Sequence, residues 1–343
     1  MAERTRVRSA EPPTLDEVAS LAGVSRATAS RAINGGSRVS PEALSAVQEA
    51  VAALGYVPNR AARSLVTRRT DSVAMVVPEP DERVFSDPFF SHWLRGVSAA
   101  LEHTDVQLVL LLARPGDPGE RTMRYLRNRH VDGALVISHH HGDGLTLELA
   151  DMGLPCVFGG RPWSGADRIS YVDVDNRAGG RLATEALVER GCRRIATVTG
   201  PPDMTASVDR LEGWRDALRE AGLSDERVVH GDFTTEGGAQ AMRQLLAEHP
   251  DTDGVFVASD LMASGALSVL AGRGLRVPDD IAIVGYDDLG VAERTDPPLT
   301  TIRQSTTDMA QRATALLLEQ LRPGSVPVRH EILAPQLVRR ASA

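Results

Sequence analysis

Between residues 71 and 298 the sequence alternates short apolar runs with amphipathic stretches, and this alternation constrains the fold more than any other feature. The apolar runs occupy residues 73–77, 106–112, 134–137, 195–198, 255–258 and 281–285, and the amphipathic stretches between them include 93–101, 177–189, 211–221 and 240–246. Strands that alternate with helices are typical of parallel sheets covered by helices on both faces. About ten such units are too many for one compact lobe. We therefore expect an N-lobe over about 71–172 and a C-lobe over about 173–298.

The segment before this alternation has the pattern of short helices. Thr14 and Glu17 have the spacing of a capping box at the start of a first helix. Gly23 ends that helix, and Ser25 caps a second one with the sequence RATASRAIN, which runs to about residue 34. Two short helices joined by a tight turn that contains glycine indicate a helix-turn-helix.

A third helix completes the predicted head over residues 14–57. Ser40 followed by Pro41 is a favoured helix start, and Gly55 ends the apolar stripe that follows. Pro58 can begin one more helix, but an isolated stretch so short is marginal in water and needs a partner to become ordered.

The charge is distributed unevenly along the chain. The whole chain carries a net charge of −8, yet residues 1–69 hold ten arginines against six carboxylates, a net charge of +4. The rest of the chain therefore carries a net charge of −12. A basic head on an acidic body is expected when only one end meets phosphate.

Several function classes lack a sequence signal. The N-terminus, MAERTRVRSAEPPT, has no apolar core of a secretory signal, and no stretch approaches the length of a membrane span. Two cysteines suit a reduced compartment, so we expect a cytoplasmic protein. No phosphate-binding loop, nucleophile elbow or zinc spacing occurs. We therefore expect no enzyme activity, cofactor or metal, and we interpret the histidines at 139–141 as an exposed loop at the end of a strand.

The second helix of the head has the residues of a DNA-reading helix. Side chains near the start of such a helix reach base edges in the major groove, and arginine can bond guanine in a bidentate way. The predicted base contacts are Arg26, Ala27 and Arg31, and the predicted phosphate contacts are Ser25, Thr28 and Asn34, with Thr14 as a further DNA-binding residue. The alternative is an ordinary surface helical hairpin.

Longer motifs resemble a known family. The segment TLDEVASLAGVSRATASRAINGGSRVSPEALSAVQEAVAALGYVPNRAARSL, residues 14–65, resembles the head of the lactose/galactose repressor (LacI-type) family. The resemblance continues in the body through DPFF, VDGALVIS, DVDNRAGG, RLEGW, ASDLMASGAL, GLRVPDDIAIVGYDDL and DPPLTTIRQ. It covers almost the whole chain.

The resemblance implies a domain organisation. It implies a disordered basic tail over 1–13, a hinge helix and linker over 58–70, and an α/β two-lobed, periplasmic-binding-protein-like body over 71–343 whose tail, 299–343, crosses between the lobes. In the hinge, Asn59 and Ala62 match DNA-binding positions, and Leu65 matches a position that wedges between base pairs and kinks the duplex. The alternative for Leu65 is packing against the body.

The same resemblance implies an effector site in the cleft between the lobes. Arg210 and Asp287 match a polar pair that binds ligand oxygens, and aromatic faces would cover the C–H surface of the ligand. The implied aromatic residues are Phe89, Phe90 and Phe233, and Arg161 and Ser259 are further candidates. Ser259 stands where the family commonly has asparagine. The alternatives are phenylalanines in a core and an Arg–Asp salt bridge that closes the lobes.

Together the resemblance implies a homodimeric repressor that binds a pseudo-palindromic operator under control of a small polar effector, with a saccharide as the leading candidate. A segment over 79–86, longer than usual in the family, precedes DPFF and is interpreted as a loop. Two alternatives remain open. One is a global regulator controlled by a protein partner with an empty cleft, and the other is a solute-binding protein or sugar-processing enzyme with a vestigial head.

Overall fold

The computed structural model of the chain describes residues 13–34, 39–57, 69–113, 120–142, 144–324 and 327–343. The chain divides into two compact units, residues 1–70 and residues 71–343. The predicted hinge residues Asn59, Ala62 and Leu65 lie outside the described residues, as does nearly all of the predicted tail over 1–13.

The head contains the three helices that the sequence predicts: α1 (Leu15–Leu21), α2 (Arg26–Ile33) and α3 (Pro41–Leu54). The capping box is confirmed, because Oγ1 of Thr14 accepts from the backbone N–H of Glu17 at 3.3 Å while Oε2 of Glu17 accepts from the N–H of Thr14 at 2.7 Å. Ser25 and Ser40 cap the next two helices through their side chains. Each cap satisfies a backbone donor that the first helical turn leaves unpaired.

Small apolar residues allow the three helices of the head to close on one core. Val18, Ala29 and Val47 are almost completely buried between them. Gly55 follows α3 with a φ of 60°, a left-handed conformation in which glycine avoids the steric cost of a side chain. The exposed face of α2 is thereby held in a fixed orientation relative to α1 and α3.

The N-lobe of the body is a six-stranded parallel sheet with helices on both faces. Its strands are β1 (Ser72–Val77), β2 (Gln107–Leu112), β3 (Gly133–Ile137), β4 (Cys156–Gly159), β5 (Ser170–Val174) and β11 (His330–Leu333), in the order β11-β5-β4-β3-β1-β2. Its helices are α4 (Asp81–Ser86), α5 (Pro88–Leu101), α6 (Glu120–Arg127) and α7 (Leu145–Met152).

The C-lobe repeats this architecture. Its strands are β6 (Ile195–Thr199), β7 (Val228–His230), β8 (Gly254–Val257), β9 (Ala282–Asp287), β10 (Thr300–Arg303) and β12 (Gln336–Val338), in the order β12-β10-β9-β8-β6-β7. Its helices are α8 (Asn176–Arg190), α9 (Thr205–Glu220), α10 (Thr235–Glu248) and α11 (Asp260–Gly272). All strand pairs are parallel except that between β10 and the edge strand β12.

The end of the chain contributes to both lobes. Strands β10 and β12 belong to the sheet of the C-lobe, whereas β11 and helix α12 (Thr306–Gln320) join the N-lobe. Helices α12 and α5 approach closely, because a Cβ on Gly96 would lie only 2.6 Å from Cβ of Ala310. The chain therefore crosses between the lobes after β5, after β10 and again between β11 and β12.

The two lobes carry separate apolar cores. Phe90 and Trp93 on α5 are completely buried in the N-lobe, and Trp214 and Tyr286 are completely buried in the C-lobe. Each such side chain contributes roughly 1.5–3 kcal/mol or more to folding. Independent cores allow each lobe to remain rigid while the angle between lobes changes.

Candidate functional site

A cavity lies between the lobes, at the carboxyl ends of the strands of both sheets. Its volume is about 680 Å³, including solvent at its mouth, within the ~300–1,000 Å³ typical of small-molecule sites. Ligands of open α/β sheets bind outside the carboxyl ends of the strands. The N-lobe side is lined by Arg83, Asp87, Phe89, Ser138, His139 and Gly160, and the C-lobe side by Asn176, Thr205, Arg210, Phe233, Ser259, Asp287 and Gln304.

Arg210 is a firmly anchored charged group of the C-lobe wall. It projects from α9 and is only 5% exposed. Its Nε donates to Oδ1 of Asn176 at 2.8 Å, and its Nη1 donates to the carbonyl oxygen of Ala258 at 2.7 Å. The guanidinium is therefore held in one orientation at the wall of the cavity.

Asp287 ends strand β9 beside this guanidinium. Its Oδ1 lies 3.8 Å from Nη1 of Arg210 and accepts a hydrogen bond from Nε2 of Gln304 at 2.6 Å. Burial raises the pKa of the Asp287 carboxyl, and the positive charge of Arg210 offsets only part of that rise. Both residues belong to the C-lobe, so they do not form the lobe-closing salt bridge that was one alternative.

Phe233 supplies an aromatic face beside these polar groups. Its ring packs over Gly200, where a Cβ atom would collide with the ring. Its backbone has a φ of 65°, uncommon outside glycine, and such strain is concentrated at functional sites. Glycine at position 200 is thus a requirement of the ring position.

The two phenylalanines of DPFF have different environments. Phe89 lines the cavity, and its ring contacts that of Phe90 edge to face at a centroid distance of 5.4 Å. Phe90 is completely buried in the N-lobe core and does not line the cavity. Adjacent residues on a helix do not share a face, so only Phe89 can present its ring to a ligand.

Ser259 and Arg161 differ from Arg210 and Asp287 in their contacts at the cavity. Ser259 lines the cavity, but its Oγ accepts from the N–H of Met262 and caps α11. Arg161 pairs through Nη2 with both carboxylate oxygens of Asp209 at 2.8 Å, across the lobe boundary. Arg161 therefore joins the lobes beside the cavity rather than lining it.

The segment over 79–86, expected to be a loop, contains helix α4, so that expectation was wrong. The helix begins after Pro80, whose fixed φ suits a helix start. Helix α4 places Arg83 at the cavity wall, and Nη1 of Arg83 donates to Oε1 of Glu79 at 2.6 Å. The same oxygen accepts from Oγ of Ser138 at 2.6 Å. Burial by itself raises the pKa of Glu79, but the hydrogen bonds and the arginine outweigh it, and the pKa lies below its usual value.

The expectation that residues 139–141 form an exposed loop was wrong for the first two histidines. His139 is buried, lines the cavity and packs edge to face against Phe158, and burial lowers its pKa to about 4. It is therefore neutral near pH 7. Of the three histidines, only His141 is exposed.

His140 connects the two lobes. Its Nε2 lies 3.1 Å from Oε1 of Glu79 in the N-lobe, and its Nδ1 lies 2.9 Å from Oδ2 of Asp203 in the C-lobe. The hydrogen bond to Glu79, aided by Asp203, raises the pKa of His140 against the effect of burial. The carbonyl oxygen of Asp203 also accepts from Nε1 of Trp163 at 2.6 Å and from the N–H of His141 at 2.9 Å.

Some lining residues were not among the sequence-predicted site residues. Asn176 and Gln304 follow the ends of β5 and β10 in DVDNRAGG and DPPLTTIRQ, so position beside a strand end could have identified them. Asp87 stands in DPFF and caps α5. His139 likewise follows the end of β3 but was interpreted as exposed, and Arg83 gave no comparable signal.

In the head, the side chains predicted to contact bases are accessible. Arg26, Ala27 and Arg31 are exposed on α2. Arg26 pairs with Asp16 at 3.5 Å, and Nε of Arg31 donates to the carbonyl oxygen of Ala27 at 3.1 Å. Exposed contacts of this kind are weak and easily exchanged for others.

The side chains predicted to bind phosphates make hydrogen bonds within the head. Oγ of Ser25 accepts from the N–H of Thr28, and the hydroxyls of the two residues lie 2.8 Å apart. Nδ2 of Asn34 donates to the carbonyl oxygen of Ser30 at 2.9 Å. The side chain of Thr14 caps the start of α1.

Comparison with family models matches both parts of this architecture. Residues 14–59 match the bacterial regulatory proteins of the lacI family, and residues 184–343 match a periplasmic binding protein-like domain. With the relatives below, these matches show that the chain belongs to the lacI family of bacterial regulatory proteins. It is a DNA-binding transcriptional regulator with a two-lobed α/β body.

Two curated relatives illustrate the similarity. The HTH-type transcriptional regulator CelR of Thermobifida fusca is 51% identical over 312 residues, which are 90% of this chain and 92% of that protein. The ribose operon repressor of Escherichia coli strain K12 is 36% identical over 336 residues, covering 96% of this chain and 99% of that repressor.

Solved structures give the same result. A CelR–cellobiose complex aligns with a TM-score of 0.78 at 46% identity, over 96% of this chain and all of that one. The lac repressor dimer bound to operator and the anti-inducer ONPF aligns with a TM-score of 0.83 at 28% identity, over 97% and 99% of the two chains.

The described residues show neither a membrane-spanning helix nor a metal-binding cluster. Among them, no helix is long and apolar enough to cross a membrane. Within the same ranges, no group of three or more His, Cys, Asp or Glu side chains is arranged to hold a metal ion.

Proposed function

We propose that the chain is a cytoplasmic repressor whose operator affinity is controlled by a saccharide bound between the lobes, with cellobiose as the first effector to test. The observation that carries the proposal is the placement of Arg210 and Asp287 beside the ring of Phe233 in the cavity. Forked donors and carboxylate oxygens bind sugar hydroxyls, and an aromatic face covers the apolar side of a sugar ring.

The relatives support a saccharide over other small polar ligands. One relative is named for ribose, and the structure at 46% identity is a complex with cellobiose. The higher identity to the cellobiose-binding protein favours a disaccharide over a pentose. In our proposal Phe89, Phe233, Arg210, Ser259 and Asp287 contact the effector, whereas Arg161 acts at the lobe boundary.

The DNA-binding part of the proposal concerns a homodimer on a pseudo-palindromic operator. Arg26, Ala27 and Arg31 would contact base edges in the major groove. Ser25, Thr28 and Asn34 would bind phosphates and set the register, with Thr14 nearby. The hinge contacts assigned to Asn59, Ala62 and Leu65 belong to the same proposal, with paired Leu65 side chains kinking the centre of the operator.

Effector binding would control DNA affinity by favouring one arrangement of the lobes. A ligand between the lobes draws them together, which changes the spacing of the two hinges in a dimer. The shift between DNA-competent and DNA-incompetent states is bounded by the difference in effector affinity for the two states. We expect release of the operator, and this mechanism requires no catalytic step, cofactor or metal.

A fluorescence anisotropy titration tests the proposal. The full-length protein is added to labelled DNA from the region upstream of its own gene, with and without cellobiose, ribose, glucose or cytidine. Salt-dependent, sequence-specific binding that a saccharide reverses supports the proposal. Specific binding that no compound alters, together with no heat of binding in calorimetry, favours a regulator controlled by a protein partner. Failure to bind DNA at any salt concentration overturns the DNA-binding part.

A further inference from the structure

Arg83 presents a buried hydrogen-bond donor at the cavity. Its side chain is 12% exposed, and its Nη1 is paired with Glu79. Its Nε is buried and has no hydrogen-bond partner among the residues that the structure describes. A buried donor without an acceptor is unfavourable. At a cavity wall, this arrangement points to an acceptor that a ligand supplies.

Arg83 and Arg210 both lie close to the ring of Phe233. Cζ of Arg83 is 5.3 Å from the ring centroid of Phe233, and Cζ of Arg210 is 5.9 Å from it. One arginine comes from α4 in the N-lobe and the other from α9 in the C-lobe. A sugar ring that packs on Phe233 therefore lies within reach of one guanidinium from each lobe.

Glu79 fixes the orientation of Arg83. This carboxylate is 3% exposed, and a single oxygen accepts from Arg83, from Ser138 and, through Nε2, from His140. Because Glu79 is itself held in place, its hydrogen bond to Arg83 restricts the rotamers of Arg83 before a ligand arrives. Binding then costs less entropy than binding by a free arginine.

We propose that Arg83 is an effector-binding residue whose Nε donates to an oxygen of the sugar ring on Phe233, and that Glu79 is its positioning residue. The inference rests on the proposed function, since it adds a contact in the same cavity. A sugar bound by both Arg83 and Arg210 connects the lobes. Arg83 therefore contributes to selectivity among saccharides and to lobe closure.

Calorimetric titration of the full-length protein with cellobiose tests this assignment. Arg83→Lys keeps a cation beside Glu79 but removes Nε, and Arg83→Gln removes the cation as well. We expect both variants to bind about tenfold or more weakly, the usual effect of losing a hydrogen bond from a charged donor. Arg95→Gln, at an exposed arginine of the same lobe, is the matched control and should bind as the wild type does.

Monodeoxy analogues of cellobiose separate a direct contact from a structural effect. If Nε donates to one hydroxyl, removal of that hydroxyl weakens wild-type binding but leaves Arg83→Lys unchanged, while the other analogues affect both proteins equally. The acceptor can also be the ring oxygen, in which case every deoxy analogue affects both proteins equally. An analogue with methylene in place of the ring oxygen then weakens wild-type binding but leaves Arg83→Lys unchanged. Equal effects across this whole series overturn the assignment.

The inference and the proposed function can fail separately. Wild-type affinity in both Arg83 variants, with affinity lost in Arg210→Lys, overturns the role of Arg83 and leaves the saccharide site in place. Absence of binding by the wild-type protein to cellobiose, ribose and glucose overturns both. Thermal unfolding of each variant verifies that the body is folded.

Discussion

The guanidinium of Arg210 lies over the ring of Tyr286, with Cζ 3.6 Å from the ring centroid. Tyr286 is completely buried, and its hydroxyl lies 3.4 Å from Oδ1 of Asn176, which also accepts from Nε of Arg210. The cation is thus held by an aromatic face and by two hydrogen bonds. The structure of the C-lobe core therefore sets the orientation in which Arg210 meets a ligand.

This relationship predicts that Arg210→Lys is not a conservative substitution. An ammonium group cannot reproduce the planar fork that donates to Asn176 and to Ala258 at the same time. We expect effector affinity to fall by about tenfold or more, with little change in operator affinity in the absence of effector. Calorimetry and anisotropy measure the two quantities. Arg219→Lys, at an exposed arginine of the same helix, should change neither, and an Arg210 variant with normal effector affinity would contradict the prediction.

A second prediction concerns Asp287. Asp287→Ala removes an acceptor that faces the cavity beside Arg210. We expect a protein that binds operator normally but is not released by effector. Because the carboxyl has a raised pKa, Asp287→Asn should retain more effector affinity than Asp287→Ala does. Unchanged release of the operator by effector in the alanine variant would show that Asp287 is not part of the site.

A third prediction concerns the head. Arg31→Ala removes an exposed side chain of α2 whose Nε donates to a carbonyl oxygen of the same helix. We expect loss of about 1–3 kcal/mol of discrimination between operator and unrelated DNA, while non-specific, salt-dependent binding persists. Competition in gel shifts measures the discrimination, and circular dichroism verifies the fold. Retained selectivity would exclude Arg31 as a base-reading residue.

The sequence predicted the elements that depend on local patterns. Apolar runs gave the central strands, and Ser, Thr, Pro and Gly at helix ends gave the three helices of the head. Of the cleft residues, Phe89, Arg210 and Phe233 line the cavity, but Phe90 does not. The family motif contains both phenylalanines, and only the orientation of α5 decides which of them faces the cleft.

The N-lobe wall could not be predicted in the same way. Helix α4 has six residues, too few to show a clear apolar period, so the sequence did not reveal that it directs Arg83 inward. Likewise, three consecutive histidines have no periodicity. Tertiary contacts with Glu79, Asp203 and Phe158 decide the environments of His139 and His140.

The last prediction is a pH dependence that originates at His140. Glu79 and His140 both belong to the N-lobe, whereas Asp203 belongs to the C-lobe, so opening the lobes would separate His140 only from Asp203. Asp203 therefore raises the pKa of His140 further in the closed form than in the open form. Protonated His140 stabilises closure below the open-form pKa, and this contribution is lost as pH rises through the closed-form pKa.

We therefore expect the ratio of effector affinities, wild type to His140→Gln, to be larger at about pH 6 than at about pH 9. Comparing the ratio, rather than wild-type affinity alone, cancels the titration of Asp287, which both proteins share. The neighbouring His139 is neutral over this range because its pKa is about 4. His103→Gln, at an exposed histidine of the N-lobe, should give a ratio independent of pH. A constant ratio for His140→Gln as well would mean that the contact with Asp203 does not contribute to closure.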